Sequence, residues 1–173
     1  GGLVPQGEGW RQGCARQGYR RGMYTHFQRT SPYPMLMTFD APDSNVCVVR
    51  RERSNTPLQA LTLLNDAAFF ECAQGLAQRM IAEAAESQSS DAAIADRIRH
   101  GFRLCLSRDP SSAELDRLQR LYEAVLINLQ AQPEAARQLA GTIKVKNVTA
   151  PEAACWTILA RTLLNLDEFV TRE

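Results

Sequence analysis

From residue 54 onward the apolar positions of the chain fall at helical spacing; before it they do not. Phe69, Ala73, Leu76, Ala77, Met80 and Ala84 mark one face of a helix running from Asp66 to about Glu86. The turn SQSSD follows. Ile94, Ile98, Phe102 and Cys105 mark a second helix over about Ala92–Ser107, ended by Asp109-Pro110. Leu115, Leu118, Tyr122, Val125 and Leu129 form the cleanest stripe. A short helix over Glu134–Ala140 and a surface loop over Gly141–Ala150, carrying Lys144 and Lys146, come next. Pro151 opens a last helix, whose run ACWTILARTLLNL is apolar enough to lie at the centre of a core.

The polar residues between these stripes read as caps. Ser54-Asn55-Thr56-Pro57 starts a helix, with a side-chain acceptor ahead of a proline in the first turn. The run PLQALTLLN that follows is apolar on nearly all sides and is predicted to be buried. Asp66 caps the next helix. Ser111 and Glu114 have the spacing of a capping box.

Residues 1–53 have a different character. Residues 1–22 are rich in Gly, Gln and Arg and read as loop or as a strand of a larger domain. A helical turn fits Met23–Arg29, after which Pro32, Pro34 and Pro42 argue against regular helix. Val-rich residues 46–50 suit a short extended stretch. The expected organisation is an irregular Arg- and Pro-rich arm over 1–53 and an all-α bundle of about four or five helices over 54–173, with short connections favouring antiparallel neighbours.

At 173 residues the chain has room for one domain or one and a half. Its 45% hydrophobic and 23% charged content is that of a globular domain and excludes a disordered tail. No apolar run approaches the roughly 20 residues that cross a bilayer. The opening GGLVPQGEGW lacks the basic start and apolar stretch of a signal peptide, and no Met begins it, so the chain reads as a fragment.

The net charge of +1 divides unevenly. Residues 1–60 carry eight Arg against four acids, and residues 61–173 carry twelve basic against fifteen acidic residues. This split favours docking of the Arg-rich part on acidic protein surface over binding of nucleic acid. The five cysteines, Cys14, Cys47, Cys72, Cys105 and Cys155, contain no C-x-x-C or C-x-x-C-H, which excludes a zinc ribbon and a haem c attachment within this chain. Cys72, Cys105 and Cys155 are expected as buried thiols, whereas Cys14 and Cys47 suit a disulfide if the protein is exported.

Two polar groups are candidates for chemistry. Asp40, Asp43 and Asp66, brought together, would hold a hard cation or act as an acid–base pair; the simpler alternative is an Asx turn at Asp40 and Asp43 and a helix cap at Asp66. Arg50, Arg51 and Arg53 would bind a sulfated or carboxylated sugar, a phosphate or a propionate, or else pair internally with Asp40, Asp66 or Asp167. A nucleophilic pair of Cys47 with His26 is the weakest option, and two His residues without paired Cys argue against zinc. Asp167-Glu168-Phe169 is read as closing the last helix. Acids there oppose the helix dipole and so should find partners at Arg161 or at the Arg50–Arg53 cluster, Arg53 with Asp167 first.

Four stretches, RRGMYTHFQRTSPYP, FDAPDSNVCVVRR, RRERSNTPLQALTLLND and LARTLLNLDEFVTRE, resemble the C-terminal part of domain-of-unknown-function family 1553, over nearly the whole chain and most densely at 20–70 and 155–173. Ala67 stands where members often have Pro, and Gly22 and His26 where Ser and an aromatic are expected. The resemblance implies the tail of a large exported protein of planctomycetes or related bacteria, periplasmic or otherwise extracytoplasmic. Such proteins often carry a family 1549 domain and a cytochrome c domain, so haem c would belong to the parent protein and no cofactor to this chain. It brings no catalytic residues. The function expected is a structural or interaction module docking on neighbouring domains of its parent, with the helix start at Asn55–Leu61 and the arm as the shared surface. The alternative is part of an enzyme acting on an extracellular substrate such as polysaccharide, and a third reading is an anion or sugar binder at the Arg cluster.

Overall fold

A computed structural model describes residues 33–42, 47–50, 54–84, 90–141, 143, 145 and 148–171. The turn expected at Met23–Arg29, and Cys14, Asp43, Arg51 and Arg53, lie outside the described residues. Among those described the chain is all-α, with eight helices and no strand: α1 (Pro34–Thr38), α2 (Pro57–Asn65), α3 (Ala67–Glu83), α4 (Ser90–Leu106), α5 (Ser112–Gln130), α6 (Pro133–Ala140), α7 (Ala150–Leu164) and α8 (Asp167–Val170). No helix is long and apolar enough to cross a membrane. The chain divides after Gln59, within α2, into two compact units.

In the first unit, α1 forms where the prolines argued against a helix. Pro34 occupies the first helical turn, where a missing N–H and a fixed φ cost nothing. The Val-rich stretch forms no strand: Cys47, Val48, Val49 and Arg50 are all exposed irregular backbone.

The second unit is built around α7. Ala153, Ala154, Cys155, Trp156, Thr157, Leu159, Ala160 and Leu163 of this helix are all buried. It packs against α3, α4, α5, α6 and α8. Each partner contributes the stripe that its periodicity predicts: Ala73, Ala77 and Met80 from α3, Ile98, Phe102 and Cys105 from α4, and Leu118, Tyr122 and Leu129 from α5. The small side chains on α3 and α7 let these helices approach closely. Gly101 of α4 does the same, since a Cβ there would lie 2.7 Å from Met80 Cε and 2.9 Å from Leu163 Cδ1. The run over α2 departs from expectation: Leu63 and Gln59 are buried, but Leu58 is 61% and Leu61 55% exposed.

Caps define the boundaries. Asp66 accepts from Ala68 N–H and starts α3, with Ala67 in the first helical position that a proline would also fill. Ser111 and Glu114 form the expected capping box on α5, and Thr149 with Glu152 forms a second on α7. Arg161 reaches from α7 to cap the far end of α2 by donating to the Leu64 carbonyl, while its guanidinium lies 5.5 Å from the Phe70 ring centroid.

Asp167-Glu168-Phe169 does not close the last helix. α7 ends at Leu164, and Asp167 and Glu168 begin α8, where acids favour the dipole. The expected pairing of Arg53 with Asp167 lies outside the described residues, and the partner of Glu168 is not Arg161. It is Arg108, whose Nη2 lies 2.7 Å from Glu168 Oε2 and 2.7 Å from Glu114 Oε1. One guanidinium thus joins the end of α4 to the starts of α5 and α8, over the Phe102 ring. Arg108 first, then the Ser111 amide, holds the Glu114 carboxyl down at about 2.

Two outcomes follow from this packing. Gly101→Val should lower stability by about 1–3 kcal/mol, because Met80 and Leu163 are sealed in the core and must move. A lower urea midpoint with an unchanged m value would show it, and an unchanged midpoint would contradict the close approach. Arg108→Gln should be destabilising at neutral pH. A carboxyl held low contributes stability above its ordinary value of 4.5 and loses it as pH falls toward about 2, so the urea midpoints of variant and wild type should converge across that window.

Candidate functional site

α1 ends in a Schellman motif. Ala41 N–H donates to the Leu36 carbonyl at 2.8 Å and Asp40 N–H to the Met37 carbonyl at 3.2 Å, with Asp40 in the left-handed region at φ 55°. Glycine is the usual residue at such a position. An aspartate is accepted there because its carboxylate is used. Asp40 Oδ2 accepts from Ser54 N–H at 2.8 Å, Ser54 Oγ donates to it at 2.7 Å, and Gln59 Nε2 donates to it at 3.1 Å.

Gln59 is the hub of this cluster and is only 1% exposed. Its Oε1 accepts from Thr56 N–H at 3.0 Å, and Gln59 N–H donates to Thr56 Oγ1 at 3.3 Å, a capping box on α2. Its Nε2 also donates to the Thr38 carbonyl at 2.9 Å and to Ser54 Oγ at 3.1 Å. Sequence reasoning placed the helix start correctly and missed Gln59. The T-x-x-Q spacing of Thr56 and Gln59 is the signal that names it.

The predicted site residues that are described have different settings. Asp40 braces Ser54 and Gln59, Asp66 caps α3, and Arg50 and Asn55 are exposed; Asp43, Arg51 and Arg53 are outside the described residues. Among the described residues no three His, Cys, Asp or Glu side chains are grouped so as to hold a metal ion. Cys47, Cys72, Cys105 and Cys155 are free thiols, and Cys72 is exposed rather than buried because it sits on the outer face of α3. Burial pushes the Cys105 thiol up to about 11 and the Cys155 thiol up to about 12, so both stay protonated and unreactive at neutral pH.

What this cluster does mechanically is tie the end of α1 to the start of α2. Asp40→Gly removes the backbone strain but also the acceptor, whereas Asp40→Asn keeps a left-handed-tolerant residue with one carbonyl acceptor. Hydrogen exchange at the Ser54 amide should accelerate in Asp40→Gly, by roughly 5- to 150-fold for a loss of about 1–3 kcal/mol, and by less in Asp40→Asn. Equal protection in wild type and Asp40→Gly would mean the carboxylate braces nothing.

Residues 4–122 match the family model described as PSD1, protein of unknown function (DUF1553). The match takes in α1 to α4, the Asp40–Gln59 cluster and the first half of α5; α6 to α8, with the stretch LARTLLNLDEFVTRE, lie past it. No curated protein and no solved structure matches the chain. With more than half of its length matched, and with RRERSNTPLQALTLLND within the match, the chain belongs to the DUF1553 family.

Proposed function

We propose that this chain is a structural docking module of a larger exported protein, and that the outer face of α2 packs against a neighbouring domain of that parent. The observation that carries this reading is the exposure of Leu58 and Leu61, one turn apart on a helix with no charged residue. Each would gain by being covered, and no charge need be desolvated to cover them. The polar residues near the start of the same helix support a scaffold rather than a reaction centre, because Asp40, Ser54, Thr56 and Gln59 satisfy one another. The extracytoplasmic setting, and any haem c elsewhere in the parent, follow from the family resemblance.

The test compares two contexts. Leu58→Glu with Leu61→Glu should leave the isolated chain within about 1 kcal/mol of wild type, since both positions already face water. In the longer natural protein the same pair should cost about 1.5–3 kcal/mol per leucine and make α2 susceptible to proteolysis. If the longer protein is as stable with the two glutamates as without them, α2 docks on nothing there.

A further inference from the structure

A single torsion separates α2 from α3. Asp66 belongs to the hydrogen-bond pattern of both helices: its N–H donates to the Thr62 carbonyl at 3.0 Å, and its own carbonyl accepts from Phe70 N–H at 3.0 Å. Its φ of −73° is already helical. Its ψ is 135°, against about −42° in a helix. No glycine or proline lies between Leu58 and Gln74 to enforce the break.

That torsion parts the Leu64 carbonyl from Ala68 N–H, two groups that bond to each other in a continuous helix. Each has a substitute. Asp66 Oδ1 accepts from Ala68 N–H at 2.8 Å, and Arg161 Nη2 donates to the Leu64 carbonyl. The second substitution leaves a donor stranded, because Arg161 Nε is sealed from solvent with no acceptor among the described residues. The Phe70 ring, 5.5 Å from the guanidinium, offsets part of that loss.

A continuous helix satisfies a different set of groups. The Leu64 carbonyl and Ala68 N–H pair directly, and Arg161 is released to bring Nε to water. The Asp66 cap and the burial of Leu63 are given up. Leu63 is 8% exposed but is not part of the cluster around α7, and α2 is not among the helices packed closely on one another. The core therefore need not open.

We propose that residues 57–83 form a two-state element, bent at Asp66 in this structure and a single helix in the other state, with Arg161 as the latch that favours the bend. Release of the latch brings α2, with Leu58 and Leu61 on it, into line with α3. The latch exists whether or not a partner covers the outer face of α2.

The experiment is backbone NMR of the full chain. Two signals report the torsion: the Cα chemical shift of residue 66, and the nuclear Overhauser contact between Leu64 Hα and Ala68 N–H, which a continuous helix brings close. Asp66→Ala removes the cap and places the best helix former at the break, with Arg161 and the core untouched. Arg161→Met removes the latch and keeps an apolar stem. Each should move residue 66 toward the helical Cα shift and bring up the Leu64–Ala68 contact, and the double variant should do so more fully. Phe70→Leu, which takes away the ring beneath the guanidinium and stays apolar, should give the same change in part, and it carries the latch test if Arg161→Met does not fold. Ala67→Pro should restore the extended signature in every variant, because proline is accepted in the first turn of α3 and breaks the interior of a longer helix. An extended residue 66 retained in Asp66→Ala overturns the second state. Unchanged signals in Phe70→Leu, or random-coil shifts around Asp66 in Arg161→Met without the contact, make Arg161 a plain brace and overturn the latch. A helical signature that survives Ala67→Pro overturns the single helix.

Discussion

The helical unit depends on burying α7, eight of whose 15 residues are buried and none exposed. Such a helix must be surrounded, and five other helices do so. That requirement explains where small residues fall. Ala153, Ala154 and Ala160 on α7, Ala73 and Ala77 on α3, and Gly101 on α4 are positions where backbone comes close to backbone or to a large core side chain. The bulk is supplied by Trp156, Phe102, Met80 and Leu159, which fill the space those small residues leave. Thr157 is tolerated in this setting because its hydroxyl returns to the Ala153 carbonyl at 3.0 Å.

Outside the core, single polar side chains hold segments that have little apolar surface of their own. Gln59 joins α1 and α2, Arg161 closes α2 onto α7, and Arg108 gathers α4, α5 and α8. In each case one side chain has several partners. Removing it strands all of them, so Arg108 and Arg161 should tolerate substitution less than their partial exposure suggests. The arginine-rich composition finds part of its explanation here, because the planar fork serves two acceptors at once where lysine would serve them as a point charge.

The parts of this fold that were legible in the sequence are those set by near neighbours along the chain. The stripes of α3, α4 and α5, the Ser111–Glu114 box and the core character of α7 are all properties of one helix. The misreadings have a common cause. Pro34 and the Asp167-Glu168 pair have opposite meanings at the two ends of a helix, and nothing local said which end each occupied. The run over α2 looked buried because an apolar helix has the same sequence whether its surface is covered by this chain or by another. Of the aspartates considered as a cluster, Asp40 braces Ser54 and Asp66 caps α3.

The place of α7 in the order of the chain has a consequence for biosynthesis. Among the long helices of this unit, the one around which the others assemble is the last to leave the ribosome. Until it emerges, α3, α4, α5 and α6 hold apolar faces with no common partner to cover them, and the nascent chain presents Met80, Ile98, Phe102 and Leu118 to whatever is near. Folding of this unit is thereby postponed until α7 has emerged. A chain stopped before α7 would leave the stripes of α3, α4 and α5 without the helix that covers them.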